Sequence, residues 1–300
     1  MQRKCAADEI AVDTALIRQL VGAQFPDWAH LPVQPVAESG WDNRTFRLGS
    51  EMLVRMPSAE HYSTQVHKEQ RWLPYLAPHL PLPIPTPLAL GKPNADFAMP
   101  WSIYRWLEGE TASHQRVDDL PAFAVQIAMF LNALRKIDTN GAPEPGAHNF
   151  HRGGDLIVYD EEAQSAVATL GRAIDGSAVL HAWEAALGSR WRKLPVWVHG
   201  DVAPGNLLVR NGVLSAVIDF GSCAVGDPAC DLAIAWTFFD RPSRRSFRAR
   251  LEADNDTWLR AAGWALWKAV IVLARAQHAD PEIGRVSRRT IDAVIADVSL

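Results

Sequence analysis

The sequence predicts a mixed α/β protein with two lobes, a small β-rich lobe followed by a larger helical one. Three observations predict this. The chain has 300 residues, more than most single domains contain, so two hydrophobic cores have room to form. Short strand-like runs cluster before residue 108, whereas apolar residues at helical spacing dominate after it. The hydrophobic fraction of 48%, with 21% charged residues, is that of an ordinary globular protein.

Charge and cysteine content narrow the functional class. The formal net charge of −4 provides no broad basic surface for capturing nucleic acid, so we expect no nucleic-acid partner. The three cysteines, Cys5, Cys223 and Cys230, form no C-x-x-C motif and leave one unpaired in any disulfide scheme. This usage is typical of a reducing compartment.

Targeting and membrane signals are also lacking in the sequence. Asp8 and Glu9 lie where a secretory signal needs an apolar run. The most apolar later stretch, 261–274, is interrupted by Lys268 and is too short to cross a bilayer. We therefore expect a cytoplasmic protein with no membrane partner.

The N-terminal third predicts a helix, three strands and a second helix. Asp13 is a candidate N-cap for a helix that carries Leu16, Leu20 and Val21 on one face. The later segments are strands at Val33 to Glu38, Arg44 to Leu48 and Met52 to Met56, and a helix at Ser63 to Tyr75.

The lobe boundary is predicted just after the fourth strand-like run, Met99 to Leu107. The PLPIPTP segment before it has prolines at 81, 83, 85 and 87, which exclude a helix and indicate an extended connector. A polar crossing then leads to a long helix around 119–137. We expect a nucleotide-binding lobe at 1–107 and a catalytic and substrate-binding lobe at 108–300.

Within the second lobe, one small β-unit and one C-terminal helix stand out. Val196 to Val198, Leu207 to Arg210 and Leu214 to Asp219 predict the β-unit, with an Asn211-Gly212 hairpin turn. Apolar residues at helical spacing from Trp258 to Leu273 predict a core-facing helix.

The most informative residues are the motifs HGDVAPGN (199–206), IDFG (218–221) and DPACDLA (227–233). Phosphoryl transfer requires a carboxylate that orients the attacking hydroxyl and accepts its proton, and hard oxygen ligands for Mg²⁺. Asp201 suits the first task.

Together, at this spacing, the three motifs resemble the active-site block of aminoglycoside phosphotransferases and their choline-kinase-like relatives, and more distantly of protein kinases. The resemblance extends over about residues 33–275. It implies a bilobal protein-kinase-like fold of the α/β (α+β) class, with Asp201 as catalytic base and Mg²⁺ on Asn206 and Asp219. It also implies that His199 and Asp231 support the catalytic loop.

Each of these residues also has a plain structural interpretation. An Asp-Phe-Gly triplet at a strand end is often a simple turn, and so is a lone Gly-Asp. Asp227, which precedes Pro228, is typical of an N-cap with proline at the first helical position, and we assign it mainly to structure. A histidine such as His199 is more often a satisfied polar group of the core than a base.

The first lobe matches the same resemblance with one departure. Ser39 and Gly40 lie in the turn where these kinases cover the phosphates, although the turn lacks a G-x-G-x-x-G pattern. Arg55 stands in place of the usual phosphate-binding lysine, with Glu69 on the following helix as its partner. The alternative is an exposed Arg55–Glu69 ion pair with no further role.

The segment 104–109 resembles the hinge between the lobes. Aligning Gly109 with the family glycine places the Arg105 carbonyl and the Leu107 amide against the base of the nucleotide. Trp101 either lines that cleft or belongs to the core, which is the commoner place for an aromatic residue in a strand.

The expected activity is transfer of the terminal phosphate of ATP or GTP to a hydroxyl of a small molecule. Few acidic residues are available to bind a polycationic acceptor. The one local cluster consists of Glu252, Asp254 and Asp256, and the same three residues can also be interpreted as the start of a helix. Residues 240–300 contain eleven basic and eight acidic residues. We therefore expect a neutral or singly charged acceptor. The rivals are a kinase for a metabolite or macrolide, and a pseudokinase that binds nucleotide without turnover.

Overall fold

A computed structural model describes residues 12–36, 42–276 and 281–298. Its internal contacts divide the chain into two compact units. The first consists of Met1–Pro78, Pro83–Glu108 and Val217–Gly221, and the second of His79–Leu82, Gly109–Ala216 and Ser222–Leu300. The segment that carries Asp219 therefore belongs with the N-terminal residues.

The first unit is an antiparallel five-stranded sheet with two helices. Its elements are α1 (Thr14–Gln24), β1 (Val33–Pro35), β2 (Asn43–Leu48), β3 (Met52–Pro57), α2 (Ser63–Leu76), β4 (Pro87–Gly91) and β5 (Trp101–Arg105). The strand order is β1-β2-β3-β5-β4.

Local chemistry explains where α1 begins and which face it buries. The side chain of Asp13 accepts a hydrogen bond from Leu16 N at 2.8 Å, which satisfies one of the free N–H groups of the first turn. Ile17, Leu20 and Val21 recur at helical spacing and are buried in a shared core with sheet residues such as Leu48. The predicted amphipathic helix is thus observed.

The second unit is mainly helical and contains two small sheets. Its helices are α3 (Leu120–Leu134), α4 (Asp160–Leu170), α5 (Gly176–Gly188), α6 (Ile234–Thr237), α7 (Arg241–Arg250), α8 (Asn255–Ala276) and α9 (Pro281–Val298). Its strands are β6 (Glu110–Thr111), β7 (Val196–Val198), β8 (Leu207–Arg210), β9 (Val213–Val217) and β10 (Ala224–Gly226). The last residue of β9 begins the 217–221 segment of the first unit.

Helix α8 is the central element of this unit. It packs against α4, α5 and α9, and it is buried on almost every side from 257 to 273. Gly263 lets the neighbours approach closely, because a Cβ there would lie 2.5 Å from Leu156 Cδ2 and 2.6 Å from Ala186 Cβ. A helix that is apolar all round is expected in such a position.

Two sequence predictions need correction. The three strands proposed as one β-unit belong to two sheets, because β7 pairs with β10 while β8 pairs with β6 and β9. The proline-rich connector ends in a strand that was not predicted, since β4 begins at Pro87 and pairs with β5. Within the ranges given above, no helix is long and apolar enough to cross a membrane.

Candidate active site

The loop 199–206, which carries Asp201, leaves β7 at His199 and is held tightly against its surroundings. Gly200 has a φ of +87°, and a Cβ at this position would lie 2.4 Å from the carbonyl oxygen of Ser222. Only glycine adopts this conformation at low cost and leaves that space empty. The sharp turn directs the chain into Asp201.

Asp231 braces this loop from the 3₁₀ turn Pro228–Ala233. Its two carboxylate oxygens accept hydrogen bonds from His199 N at 2.9 Å and Gly200 N at 2.8 Å. Asp231 and His199 are both fully buried. Burial raises the pKa of Asp231, although the two N–H groups and His199 oppose that rise. The loop backbone is therefore positioned from behind by a group that solvent does not reach.

Asp227 does more than cap the turn that follows it. As predicted, its side chain accepts a hydrogen bond from Ala229 N, with Pro228 at the first position of the turn. It also forms a buried ion pair with Arg260 of α8, with Nε 2.6 Å from Oδ2. Burial raises the pKa of Asp227, and Arg260 opposes the rise. The pair ties the turn that carries Asp231 to α8.

The carboxylate of Asp201 is contacted from both sides and still reaches solvent. Asn206 Nδ2 donates to the Asp201 carbonyl at 2.9 Å and to Oδ2 at 3.1 Å, while Lys268 Nζ lies 3.4 Å from Oδ1. The Asp201 side chain is 40% exposed. Burial alone would raise its pKa, but the positive charges of Lys268 and Arg152 hold the pKa below its ordinary value. Asp201 is therefore ionised at neutral pH.

The loop 149–154 lies in the same region as Asp201. Asn149 is fully buried and donates hydrogen bonds to the carbonyl oxygens of Arg152 and Ser222. The guanidinium of Arg152 lies 4.9 Å from the ring centre of Trp264 and 5.0 Å from that of Trp267. Both indoles belong to α8, so the loop is anchored on the helix that carries Lys268.

In the first unit, Arg55 links two carboxylates. Its guanidinium donates to Glu69 Oε1 at 3.2 Å and to Asp219 Oδ1 at 2.9 Å. The side chains of Arg55 and Glu69 are 15% and 4% exposed, so the alternative of an exposed pair is wrong. Burial alone would lower the pKa of Arg55, but Glu69 and Asp219 raise it above its ordinary value. Arg55 is a fixed positive charge.

Tyr104 and Asp42 complete this cluster. The Tyr104 hydroxyl donates to Glu69 Oε2 at 2.5 Å. Burial and the negative charge of Asp219 raise the pKa of Asp42. Asp219 itself has a φ of +66°, in the left-handed region where aspartate is tolerated better than most residues. Such conformations are concentrated at functional sites.

The remaining nucleotide-site predictions have different outcomes. Ser39 and Gly40 lie outside the described residues. Arg105 is the last residue of β5, and its N–H donates to Thr86 O, while the next N–H, of Trp106, donates to Glu51 O. Leu107 is half-buried. Trp101 is fully buried, in agreement with the core alternative.

The donor set of Asn206 and Asp219 suits magnesium. Mg²⁺ in phosphoryl-transfer enzymes is usually held by one or two protein oxygens, substrate phosphates and water, without an all-protein cage. Asn206 uses its amide nitrogen for Asp201, so its amide oxygen is the atom left for a metal. In the part of the chain that the structure describes, no group of three or more His, Cys, Asp or Glu side chains could hold a metal ion.

Residues 33–264 match the phosphotransferase enzyme family. The chain belongs to this family. A search of the curated proteins finds no match.

Solved phosphotransferases share the fold at low sequence identity. The GDP complex of wild-type aminoglycoside 2′-phosphotransferase-IIIa is 21% identical, with a TM-score of 0.71 over 96% of this chain and 100% of that one. A GDP and kanamycin complex of the same kind of enzyme is 20% identical, with a TM-score of 0.70 over 94% and 98%. Macrolide 2′-phosphotransferase from Brachybacterium faecium is 18% identical, with a TM-score of 0.59 over 93% and 98%. The predicted kinase-like fold is confirmed.

In this phosphotransferase, the acidic cluster proposed for substrate binding is engaged in ion pairs and capping. Asp254 accepts from Thr257 N at 2.8 Å, as a residue at a helix start does, and pairs with Lys193. Glu252 pairs with Lys136 at 2.9 Å. Asp256 is exposed. These contacts favour the helix-start interpretation over an acceptor site.

Sequence reasoning missed Lys268 and Arg152 as neighbours of Asp201. One signal was available for Lys268, which is the single charged residue between 261 and 274 in an otherwise apolar run. A lysine in a buried helix needs water or a partner for its ammonium group. Its partner lies 67 residues away in the chain, so the local sequence pattern could not predict the pairing.

Proposed function

We propose that this phosphotransferase is a small-molecule kinase that moves the terminal phosphate of ATP or GTP to a hydroxyl group, with Asp201 as the catalytic base. The observation that carries the proposal is the state of Asp201. Its carboxylate is open to solvent, is hydrogen-bonded by the Asn206 amide, and belongs to a loop whose backbone is bonded to buried Asp231. Family membership supports the same reaction class.

In the proposed reaction, the acceptor hydroxyl donates a hydrogen bond to the Asp201 carboxylate, which aligns its oxygen with the terminal phosphorus. As the new P–O bond forms, the bond from phosphorus to the bridging oxygen breaks, and the electron pair leaves with the nucleoside diphosphate. Asp201 takes the hydroxyl proton and later releases it to water. The side-chain amide of Asn206 holds the Asp201 carboxylate in place.

Asn206 and Asp219 are the proposed ligands of Mg²⁺. When bound, the metal neutralises charge on the phosphate oxygens. Arg55 is proposed to bind the same phosphates, and Glu69 and Tyr104 orient its guanidinium. The Arg105 carbonyl and the Leu107 amide are proposed to bind the nucleotide base, and Ser39 and Gly40 to lie over the phosphates.

A neutral or singly charged acceptor is proposed in preference to a polycation. Glu252 and Asp254 are engaged by lysines, and the ammonium group of Lys268 lies 3.4 Å from Asp201 Oδ1. The solved relatives include complexes with kanamycin and a macrolide enzyme, so both antibiotic classes belong in a substrate screen.

The test is Asp201→Asn, assayed by coupled nucleotide turnover on a panel of hydroxyl compounds. Asparagine keeps the size and the hydrogen bonds but cannot accept the proton, so turnover should fall by about 10² or more. Nucleotide affinity, measured by calorimetry, should change little. Asp175→Asn is the matched control, because Asp175 is the exposed cap of α5 and asparagine caps equally well. Near wild-type turnover by Asp201→Asn would remove the carboxylate from the base role.

A further inference from the structure

One charged side chain beside Asp201 is not explained by the loop or by the helix that carries it. Lys268 occupies the middle of α8, flanked by buried Trp267 and Ala269. Its ammonium group reaches Asp201 Oδ1 at 3.4 Å, and its side chain is 45% exposed. Such a half-exposed pair contributes little to the free energy of unfolding. Its main effect is to hold a positive charge beside Asp201.

The position of the acceptor follows from the position of Asp201. A hydroxyl that Asp201 deprotonates must lie within about 2.6–3.2 Å of the carboxylate. When it binds Oδ1, the reacting oxygen is within about 7 Å of Lys268 Nζ, since the two distances add to an upper bound. That separation is shorter than the screening length of about 8 Å at physiological salt. An acceptor whose hydroxyl binds Oδ1 therefore lies within the electric field of Lys268.

Arg152 makes the surroundings of Asp201 more positive. It belongs to the loop 149–154, in which the Asn149 amide donates to the same Ser222 carbonyl against which Gly200 packs. Its guanidinium lies over the faces of Trp264 and Trp267, and its buried Nε has no hydrogen-bond partner in the described ranges. One aspartate is thus accompanied by two cations. The carboxylate that braces this loop from behind, Asp231, is fully buried and already accepts hydrogen bonds from two backbone N–H groups.

We propose that Lys268 is a specificity-determining residue that binds an anionic group of the acceptor, a carboxylate or a phosphate, close to the hydroxyl that receives the phosphate. The proposal rests on the proposed function and adds the charge class of its acceptor. An amino group in the same place would meet Lys268 and Arg152 and would be repelled. The ammonium of Lys268 has three donors, and its bond to Asp201 leaves donors for a second oxyanion.

The experiment uses three hexoses that share a ring and differ in charge: glucuronate, glucose and glucosamine. Binding of each to the full chain is measured by calorimetry at pH 7.5, with and without Mg²⁺–ATP or Mg²⁺–GTP, and turnover is followed in parallel. We expect glucuronate to bind about tenfold or more tightly than glucosamine. Equal behaviour of the three sugars, including no binding by any, would overturn the inference.

Variants of Lys268 separate binding of the acceptor from an effect on the base. Lys268→Gln should raise the KM or Kd for glucuronate by about 10- to 100-fold and change glucose little. Lys268→Arg should retain most of the preference, and Lys268→Glu should reverse it toward glucosamine. Arg285→Gln is the matched control, because it removes one charge from an exposed ion pair within α9. An equal loss for all three sugars in Lys268→Gln would show that the lysine acts only through Asp201, and would contradict the proposal.

Failure of the proposed function would look different. A chain that binds neither Mg²⁺–ATP nor Mg²⁺–GTP contradicts the kinase proposal itself, whereas the sugar titrations without nucleotide still test the charge preference. A thermal unfolding midpoint for each variant shows whether a loss of binding comes from misfolding. Lys268 is half-exposed, so glutamine should be tolerated.

Discussion

At the scale of single residues, Arg55 is the largest departure from the family pattern, which has a lysine at this position. Lysine is a compact point charge with three donors on a flexible stem, whereas a guanidinium presents five donors in a rigid planar fork. Arg55 uses this capacity to contact both Glu69 and Asp219. Asp219, a proposed metal ligand, is therefore held by the same side chain that is proposed to bind the phosphates.

We predict that Arg55→Met loses both stability and nucleotide affinity. Removing one partner of a buried ion pair leaves an uncompensated charge on Glu69, at a cost of about 3–5 kcal/mol in the free energy of unfolding. The double variant Arg55→Met, Glu69→Gln removes that charge and should recover much of the stability, as measured by chemical denaturation. It should not recover nucleotide affinity. Wild-type affinity in the double variant would show that Arg55 does not bind phosphates.

Asp219→Asn is predicted to separate the metal role from the ion pair. Asparagine keeps an oxygen that can accept from Arg55 but lacks the negative charge that Mg²⁺ prefers. Calorimetry should show that nucleotide affinity no longer increases when Mg²⁺ is added, and turnover should be lost. The free energy of unfolding without ligand should change by less than it does in Arg55→Met. Retained Mg²⁺ dependence would exclude Asp219 as a ligand.

At the scale of elements, the conformation of the loop 199–206 depends on how closely two backbone segments approach. Gly200 follows β7, Ser222 precedes β10, and the two strands pair antiparallel. The left-handed conformation of Gly200 and the nearby Ser222 carbonyl together exclude any side chain at this position. The loop that contains Gly200 also carries the two backbone N–H groups, of His199 and Gly200, that donate hydrogen bonds to Asp231.

Gly200→Ala is accordingly predicted to lower the free energy of unfolding by about 2 kcal/mol or more. The left-handed conformation alone costs about 1–2 kcal/mol in a residue with a Cβ, and the backbone must also shift. Turnover should fall further than stability explains, because Asp201 is the next residue. Gly188→Ala is the control, since a Cβ there has no atom within 4 Å and its φ is not positive. Equal effects of the two substitutions would argue against a tightly packed loop.

At the scale of the whole molecule, the chain passes through the first unit twice. Residues 217–221 belong to it, although more than a hundred residues of the second unit precede them. This segment supplies Phe220, which is fully buried, and Asp219, which pairs with Arg55. The predicted lobe boundary at 107/108 remains a prediction. A single boundary along the chain leaves out residues 217–221, which return to the first unit.

A fragment of residues 1–108 is therefore predicted not to unfold cooperatively on heating. It lacks Phe220, whose truncation alone is worth about 3–5 kcal/mol, and it leaves Arg55 without Asp219. Losses of this size are comparable with the 5–15 kcal/mol of a whole domain. Circular dichroism and differential scanning calorimetry, with the full chain as reference, give the measurement. A sharp transition in the fragment would show that the segment is dispensable.

The sequence pattern alone was sufficient to predict the elements and motifs that depend on residues close to one another in the chain. Helix α1 and its Asp13 cap, the Asn211-Gly212 turn and the Asp227-Pro228 start could be predicted because propensity and capping act over a few residues. The order of the three motifs was likewise enough to recognise the family. Strands β6 and β10 were missed, since two or three residues are too few to show a period.

The partners across long distances in the chain depended on tertiary packing. The pairing of β7 with β10, the burial of Arg55 beside Glu69, and the position of Lys268 against Asp201 join residues that no local rule connects. Each results from the way buried helices and strands fill space, and from the need of each buried charge for a nearby opposite charge. The residues around Asp201, and with them the charge preference proposed for the acceptor, follow from that packing.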